Sequence, residues 1–122
     1  MTTQWQFTLP YRTIPKGLSA NYRGHWGPKA DSTAMVRLDV MHLVRAAKIP
    51  GLSKVRVDVE QVVRTKTRRD TDNLAPLLKA IYDGIGADRG VSARIVEDDA
   101  PEYMQKVGAT IRYARDEQPR IV

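Results

Sequence analysis

Residues 68–86 read RRDTDNLAPLLKAIYDGIG. Leu74, Leu77, Leu78, Ile81, Tyr82 and Ile85 recur at the helical period and make one apolar stripe, with Gly84 and Gly86 at its end. Pro76 sets where that helix starts, because a missing N–H is harmless only in the first turn. With Asn73 as N-cap, Pro76 falls in that turn, and Asp70 and Asp72 belong to extended chain before it. Residues i and i+2 of extended chain point the same way, so both carboxylates project from one side. Upstream, Val55, Val57 and Val59 alternate with Arg56, Asp58 and Glu60, which predicts a strand from about Lys54. The alternation slips at Val62-Val63, as a bulge would make it. A strand running into a helix is the unit around which the rest is arranged.

Trp5, Phe7 and Leu9 alternate with Gln6 and Thr8 and predict a first strand closed by Pro10. Tyr11 to Lys29 is rich in Gly, Pro, Arg, Lys and aromatics, and reads as a long basic loop. Asp31 or Ser32 can cap a helix reaching about Ala47, stopped by Pro50 and Gly51. Its main face is Val36, Val40, Leu43, Val44 and Ala47. Ala34, Met35, Leu38 and Met41 form a second face, expected to be buried, with a subunit contact as the alternative. Ala93–Val96 predicts a short strand, and Val107, Ala109, Ile111 and Tyr113 alternate in a last one. The expected fold is α+β, a small mixed sheet with two main helices packed on it. Residues 1–115 form one domain, and 116–122 a polar tail.

The length of 122 residues suits one core. With no cysteine and only His25 and His42, disulfides, thiol nucleophiles and zinc ribbons are excluded. The N-terminal residues lack a signal-peptide pattern and no apolar run reaches membrane-spanning length, so a cytoplasmic protein without membrane partner is expected. The formal charge of +6 and pI near 9.8 lean towards a polyanionic partner.

Two carboxylates side by side repel unless a proton or cation neutralises them. Lys79 lies two helical turns beyond Asp72 and, because helical side chains lean N-terminally, is expected to lean back towards the aspartates. The plain structural alternative pairs Asp70 with Arg68 or Arg69 and Lys79 with Asp83 at i+4, leaving Asp72 to favour the helix start. A second acidic cluster, Glu97-Asp98-Asp99, follows the apolar Ile95-Val96 and shifts the balance. Carboxylates from two segments, without cysteine or histidine, suit magnesium. A calcium loop is excluded because Leu74 and Ala75 replace a ligand and a glycine, and Gly84-x-Gly86 follows its helix instead of opening one.

The block R-R-D70-T-D72-N73-L74, then K79-A-I-Y-D83, then D98-D99-A100, resembles the RusA family of Holliday junction resolvases, endodeoxyribonucleases often carried by phages and prophages. The likeness runs in order over most of the chain. It takes in the early strand ending at proline and the segment Ser19-Ala-Asn21-Tyr22-Arg23-Gly-His25-Trp26. It implies a RusA-like fold and a magnesium site (manganese substituting) of Asp70, Asp72 and Asp99, with Asp98 as the alternative third ligand, and Lys79 as the catalytic lysine. The family's lysine lies one turn nearer the D-N-L block, so Lys79 reaches the same face after a three-residue shift. The connection from Asp83 to Asp98 is also longer than the family's.

On that resemblance the chain is a homodimeric, magnesium-dependent endonuclease that resolves four-way DNA junctions by paired phosphodiester hydrolysis. No protein partner other than a second copy is expected, and its place is at the nucleoid. Arg64, Lys66, Arg68 and Arg69, with Asn21, Tyr22, Arg23, Trp26 and Lys29, are the expected DNA contacts. Tyr22 or Trp26 stacks at the junction centre or packs over the sheet edge. Two alternatives are a non-catalytic nucleic-acid binder and a magnesium nuclease for flaps or forks.

Overall fold

The computed structural model describes residues 5–11, 15, 17–18, 24, 26–63, 74–87, 89–113 and 120–121. In chain order these form α1 (Trp26–Ala46), β1 (Val55–Val63), α2 (Ala75–Ile85), β2 (Met104–Tyr113) and β3 (Arg120–Ile121). β1 is central, pairing parallel with β2 and antiparallel with β3, so the sheet is mixed with order β2-β1-β3. Parallel neighbours need a crossover, and α2 lies within it. The two residues of β3 come from the polar tail, which therefore joins the sheet.

β1 follows its alternation. Val57 and Val59 are buried, Gln61 takes the next inward position, and Arg56 and Asp58 lie outside as an exposed ion pair at 2.9 Å. A pair so exposed contributes little. The irregularity lies elsewhere than at Val62-Val63. The register passes from Asp58↔Val107 to Glu60↔Thr110, so β2 carries one extra residue opposite Val59. That bulge reverses the parity of β2. Met104 and Lys106 are in register with Val55 and Val57 before it, while Ile111 and Tyr113 are in register with Gln61 and Val63 after it. The expected apolar face beginning at Val107 therefore fails at its first member, and Lys106 takes the inward register.

α2 starts one residue later than expected. Leu74 occupies the cap position without a side-chain hydrogen bond, Pro76 sits in the first turn, and Asn73 lies outside the described residues. Leu74, Leu77, Ala80, Ile81 and Tyr82 are buried, and burying one leucine fully contributes about 2 kcal/mol. Buried residues of both helices, β1 and Met104 join in one core cluster. α1 crosses α2 where Gly84 has no side chain: a Cβ there would lie 2.8 Å from Val40 Cβ and 3.0 Å from the Arg37 carbonyl oxygen.

α1 begins at Trp26, five residues before the expected cap, so Trp26 and Lys29 belong to a helix and not to the basic loop. Pro28 falls in its first turn, where proline is tolerated, so the Gly-, Pro- and Arg-rich composition read as loop up to Lys29 is compatible with a helix start. Val36, Val40 and Val44 are buried as expected. On the second face only Met41 is buried, while Ala34, Met35 and Leu38 are exposed, which corrects the expectation of burial there. Tyr11 donates a hydrogen bond to the Asp39 carboxylate and ties the N-terminal segment to α1. In that segment Leu9 makes a single-residue bridge and Trp5 is exposed, so the expected first strand does not form among the described residues.

The end of α1 closes by paired back-bonds, Lys48 N–H to the Arg45 carbonyl at 3.0 Å and Ile49 N–H to the Val44 carbonyl at 3.4 Å. Lys48 lies between them at φ +57°, a left-handed conformation that suits glycine. Lys48→Gly is expected to raise unfolding stability by about 0.5–1 kcal/mol, read as a higher urea midpoint at unchanged slope.

The connection from α2 to β2 replaces the expected Ala93–Val96 strand. Ala93 and Ile95 donate their N–H groups to the carbonyls of Gly84 and Ile85, at 2.8 and 3.0 Å, and Leu52 N–H donates to Ile95 at 2.7 Å. Carbonyls at the end of a helix need such partners, and they take the donors that a strand ladder would use. Gly86 allows the close approach, since a Cβ there would come within 2.4 Å of Val96 Cγ2 and 3.1 Å of its carbonyl oxygen. Arg37 on α1 donates to the carbonyls of Val91 and Arg89, at 2.9 and 2.6 Å. A turn closed by Tyr103 N–H on the Ala100 carbonyl at 2.9 Å leads into β2. The segment carrying Asp98 and Asp99 is thus fastened at several points. Among the described residues no helix is long and apolar enough to cross a membrane.

Candidate functional site

Three elements meet at Asp99. α2 supplies Lys79, whose Nζ lies 2.6 Å from Asp99 Oδ2, and β2 supplies Lys106, whose Nζ lies 3.1 Å from the same oxygen. Asp83, one turn beyond Lys79, accepts a second bond from its ammonium at 3.1 Å. Lys106 also stands over the Tyr82 ring, 5.1 Å from its centroid. Exposure is uneven: the side chains of Lys79, Lys106, Asp83 and Asp99 are 61%, 36%, 15% and 11% exposed.

Burial pushes the Asp99 carboxyl up, but the hydrogen bonds from Lys79 and Lys106 outweigh it and hold the group below its ordinary value. The bond to Asp99 raises Lys79, against the opposing effect of burial, and Asp83 adds to the rise. The tyrosine under Lys106 is raised by burial and then by the charge of Asp58.

These directions fix a pH dependence. Asp99, depressed in the folded state, contributes stability that is complete above 3.8 and lost as pH falls through its lower folded value. Lys79, raised in the folded state, contributes stability that is complete below 10.5 and lost as pH rises through its higher folded value. The stability difference between wild type and Asp99→Asn is therefore expected to be flat around neutral pH and to shrink in acid below 3.8, measured by urea unfolding across pH.

The acidic triplet separates by direction. Glu97 is exposed and hydrogen-bonded to the Tyr103 phenol, which that bond raises; the charges of Glu102, Glu97 and Asp98 add to the effect. Asp98 is half-buried, and Asp99 is the member of the pair that meets the lysines. Lys79 takes the i+4 partner of the plain structural alternative and the distant carboxylate together. Its ammonium is held by Asp83, one turn C-terminal, and by Asp99, while Asp72, towards which it is expected to lean, lies outside the described residues.

Of the expected catalytic residues, the structure brings Lys79 and Asp99 together; Asp70 and Asp72 lie outside the described residues. So do Asn21, Tyr22, Arg23, Arg64, Lys66, Arg68 and Arg69. Trp26 is the first residue of α1, and Lys29 is exposed in its first turn. Among the described residues no three acidic or imidazole side chains gather as a metal-binding group. Asp99 and Asp83 supply hard oxygen donors of the kind magnesium takes, and both lie within reach of one ammonium. Sequence reasoning missed Lys106, because the bulge that turns it inward leaves no trace in the alternation.

Compared with protein-family models and with curated proteins, the sequence matches none of them.

Proposed function

We propose that the chain is a magnesium-dependent endodeoxyribonuclease that resolves four-way DNA junctions, the activity its RusA-like motif implies. The observation that carries the reading is the 2.6 Å contact between Lys79 and Asp99, residues 20 apart in sequence that the motif assigns to one site. Asp99 is held ionised in a fastened segment, ready to serve as a hard ligand beside Asp70 and Asp72. Bound magnesium would supply an activated water and offset charge on the scissile phosphate. Lys79, whose side chain is mostly exposed, would meet the developing negative charge on a phosphate oxygen. Arg64, Lys66, Arg68, Arg69, Lys29 and the 21–26 segment would bind the DNA backbone, which makes affinity steeply salt-dependent. A two-fold junction calls for two sites, and the exposed flank of Met35 and Leu38 on α1 is an apolar surface for a second copy.

One observation favours a second reading. Asp99 already has two ammonium partners, so the carboxylate is compensated without a metal, as it would be in a basic domain that only binds nucleic acid. Incubating the protein with labelled four-way, flap, fork and duplex DNA, with and without magnesium, separates these readings. Paired cuts in the four-way junction that EDTA abolishes are the expected result. Binding without cleavage selects the second reading, and preferred cutting of flaps or forks makes the chain a different magnesium nuclease.

A further inference from the structure

Asp99 Oδ2 accepts from two lysines at once, and the two are not equivalent. Lys79 extends from the surface of α2, is 61% exposed, and has Asp83 as an alternative partner at 3.1 Å. Lys106 is more enclosed: it takes the inward register opposite Val57 and has the Tyr82 ring beneath its ammonium. A carboxylate only 11% exposed is costly to leave without a counter-charge, whereas one nearby ammonium is enough to compensate it. One lysine can therefore leave, and exposure says which.

We propose that Lys106 is a positioning residue: it stays on Asp99 as its resident counter-charge and so releases Lys79 to meet a DNA phosphate. The destination of Lys79 rests on the nuclease reading above; the role of Lys106 at Asp99 does not. The bulge in β2 that turns Lys106 inward is then part of the site, since without it Val107 would take that register. Lys106 itself touches no substrate. Its loss would leave Lys79 as the sole partner of a mostly buried charge, and Lys79 would be retained there.

Melting in EDTA without DNA tests the compensation. Lys79→Met and Lys106→Met are each expected to lose a few degrees in Tm, because the other ammonium remains. The double variant should lose about 10 °C, more than the two together, and adding Asp99→Asn should recover most of it. If the double variant does not fold, the triple variant should, and its recovery decides the same question. Small additive losses, or no recovery on adding Asp99→Asn, overturn the proposal.

Junction cleavage tests the release. Lys106→Met should lower kcat about tenfold with KM little changed, while Lys106→Arg stays within about threefold of wild type. An arginine variant as impaired as the methionine one would show that shape and not charge matters, and would overturn the proposal. A wild-type protein that binds junctions without cutting them sinks the nuclease reading, and with it the release of Lys79. The melting series then still decides whether Lys106 compensates Asp99.

Discussion

Asp99→Asn is expected to reduce magnesium-dependent junction cleavage on the order of 10³-fold while leaving junction binding equal or tighter. The substitution keeps the shape of the side chain and removes the negative charge that Lys79 and Lys106 share. An amide oxygen is a poorer ligand for a hard cation, so the metal-dependent step suffers. Binding moves the other way, because two ammonium groups no longer neutralised by a carboxylate face a polyanion. Single-turnover cleavage beside gel-shift titration separates the two effects. Asp72→Asn is expected to show the same pattern, since it too removes a proposed ligand without subtracting positive charge. Loss of binding in parallel with cleavage would instead mean that Asp99 supports the fold.

Lys79→Met is expected to slow cleavage about 10²-fold under saturating DNA, with a loss of only a few degrees in Tm. The small effect on stability follows from exposure and redundancy: the side chain is 61% exposed, and Lys106 remains on Asp99. A lysine that merely closes an i+4 pair with Asp83 would leave the rate unchanged when removed. Should the salt slope of binding fall by about one, Lys79 contacts a phosphate already in the ground state. An unchanged slope with a reduced kcat would place its contribution in the transition state.

The parts of this fold that the sequence disclosed are those governed by local periodicity. The stripe from Leu74 to Tyr82, the turn-one position of Pro76, the valines of β1 and the end of α1 all follow from spacing and backbone chemistry. What stayed hidden depended on distant partners. Ala93 and Ile95 have strand-like composition, but the free carbonyls of Gly84 and Ile85 take their donors. Arg120 and Ile121 look like a polar tail until β1 offers an edge. The start of α1 lay inside a stretch whose Gly, Pro and basic content reads as loop, and a proline is compatible with helix only where it falls in the first turn.

The same division runs through the candidate site. Asp70, Asp72, Lys79 and Asp99 were legible as a motif, and Lys79 with Asp99 adjoin in space. Lys106 was not legible, because a one-residue bulge between Lys106 and Thr110 decides which face it takes. Nor does an acidic triplet announce its directions. Only the fastening of residues 93–104 sends Asp99 to the lysines and Glu97 towards Tyr103.

Crystals grown with manganese, with diffraction recorded for its anomalous signal, test the metal centre most directly. The expected result is a peak bonded to carboxylate oxygens of Asp70, Asp72 and Asp99, with Lys106 still beside Asp99. An electron density map that places Asp70 and Asp72 far from Asp99, with no manganese between them, would contradict it.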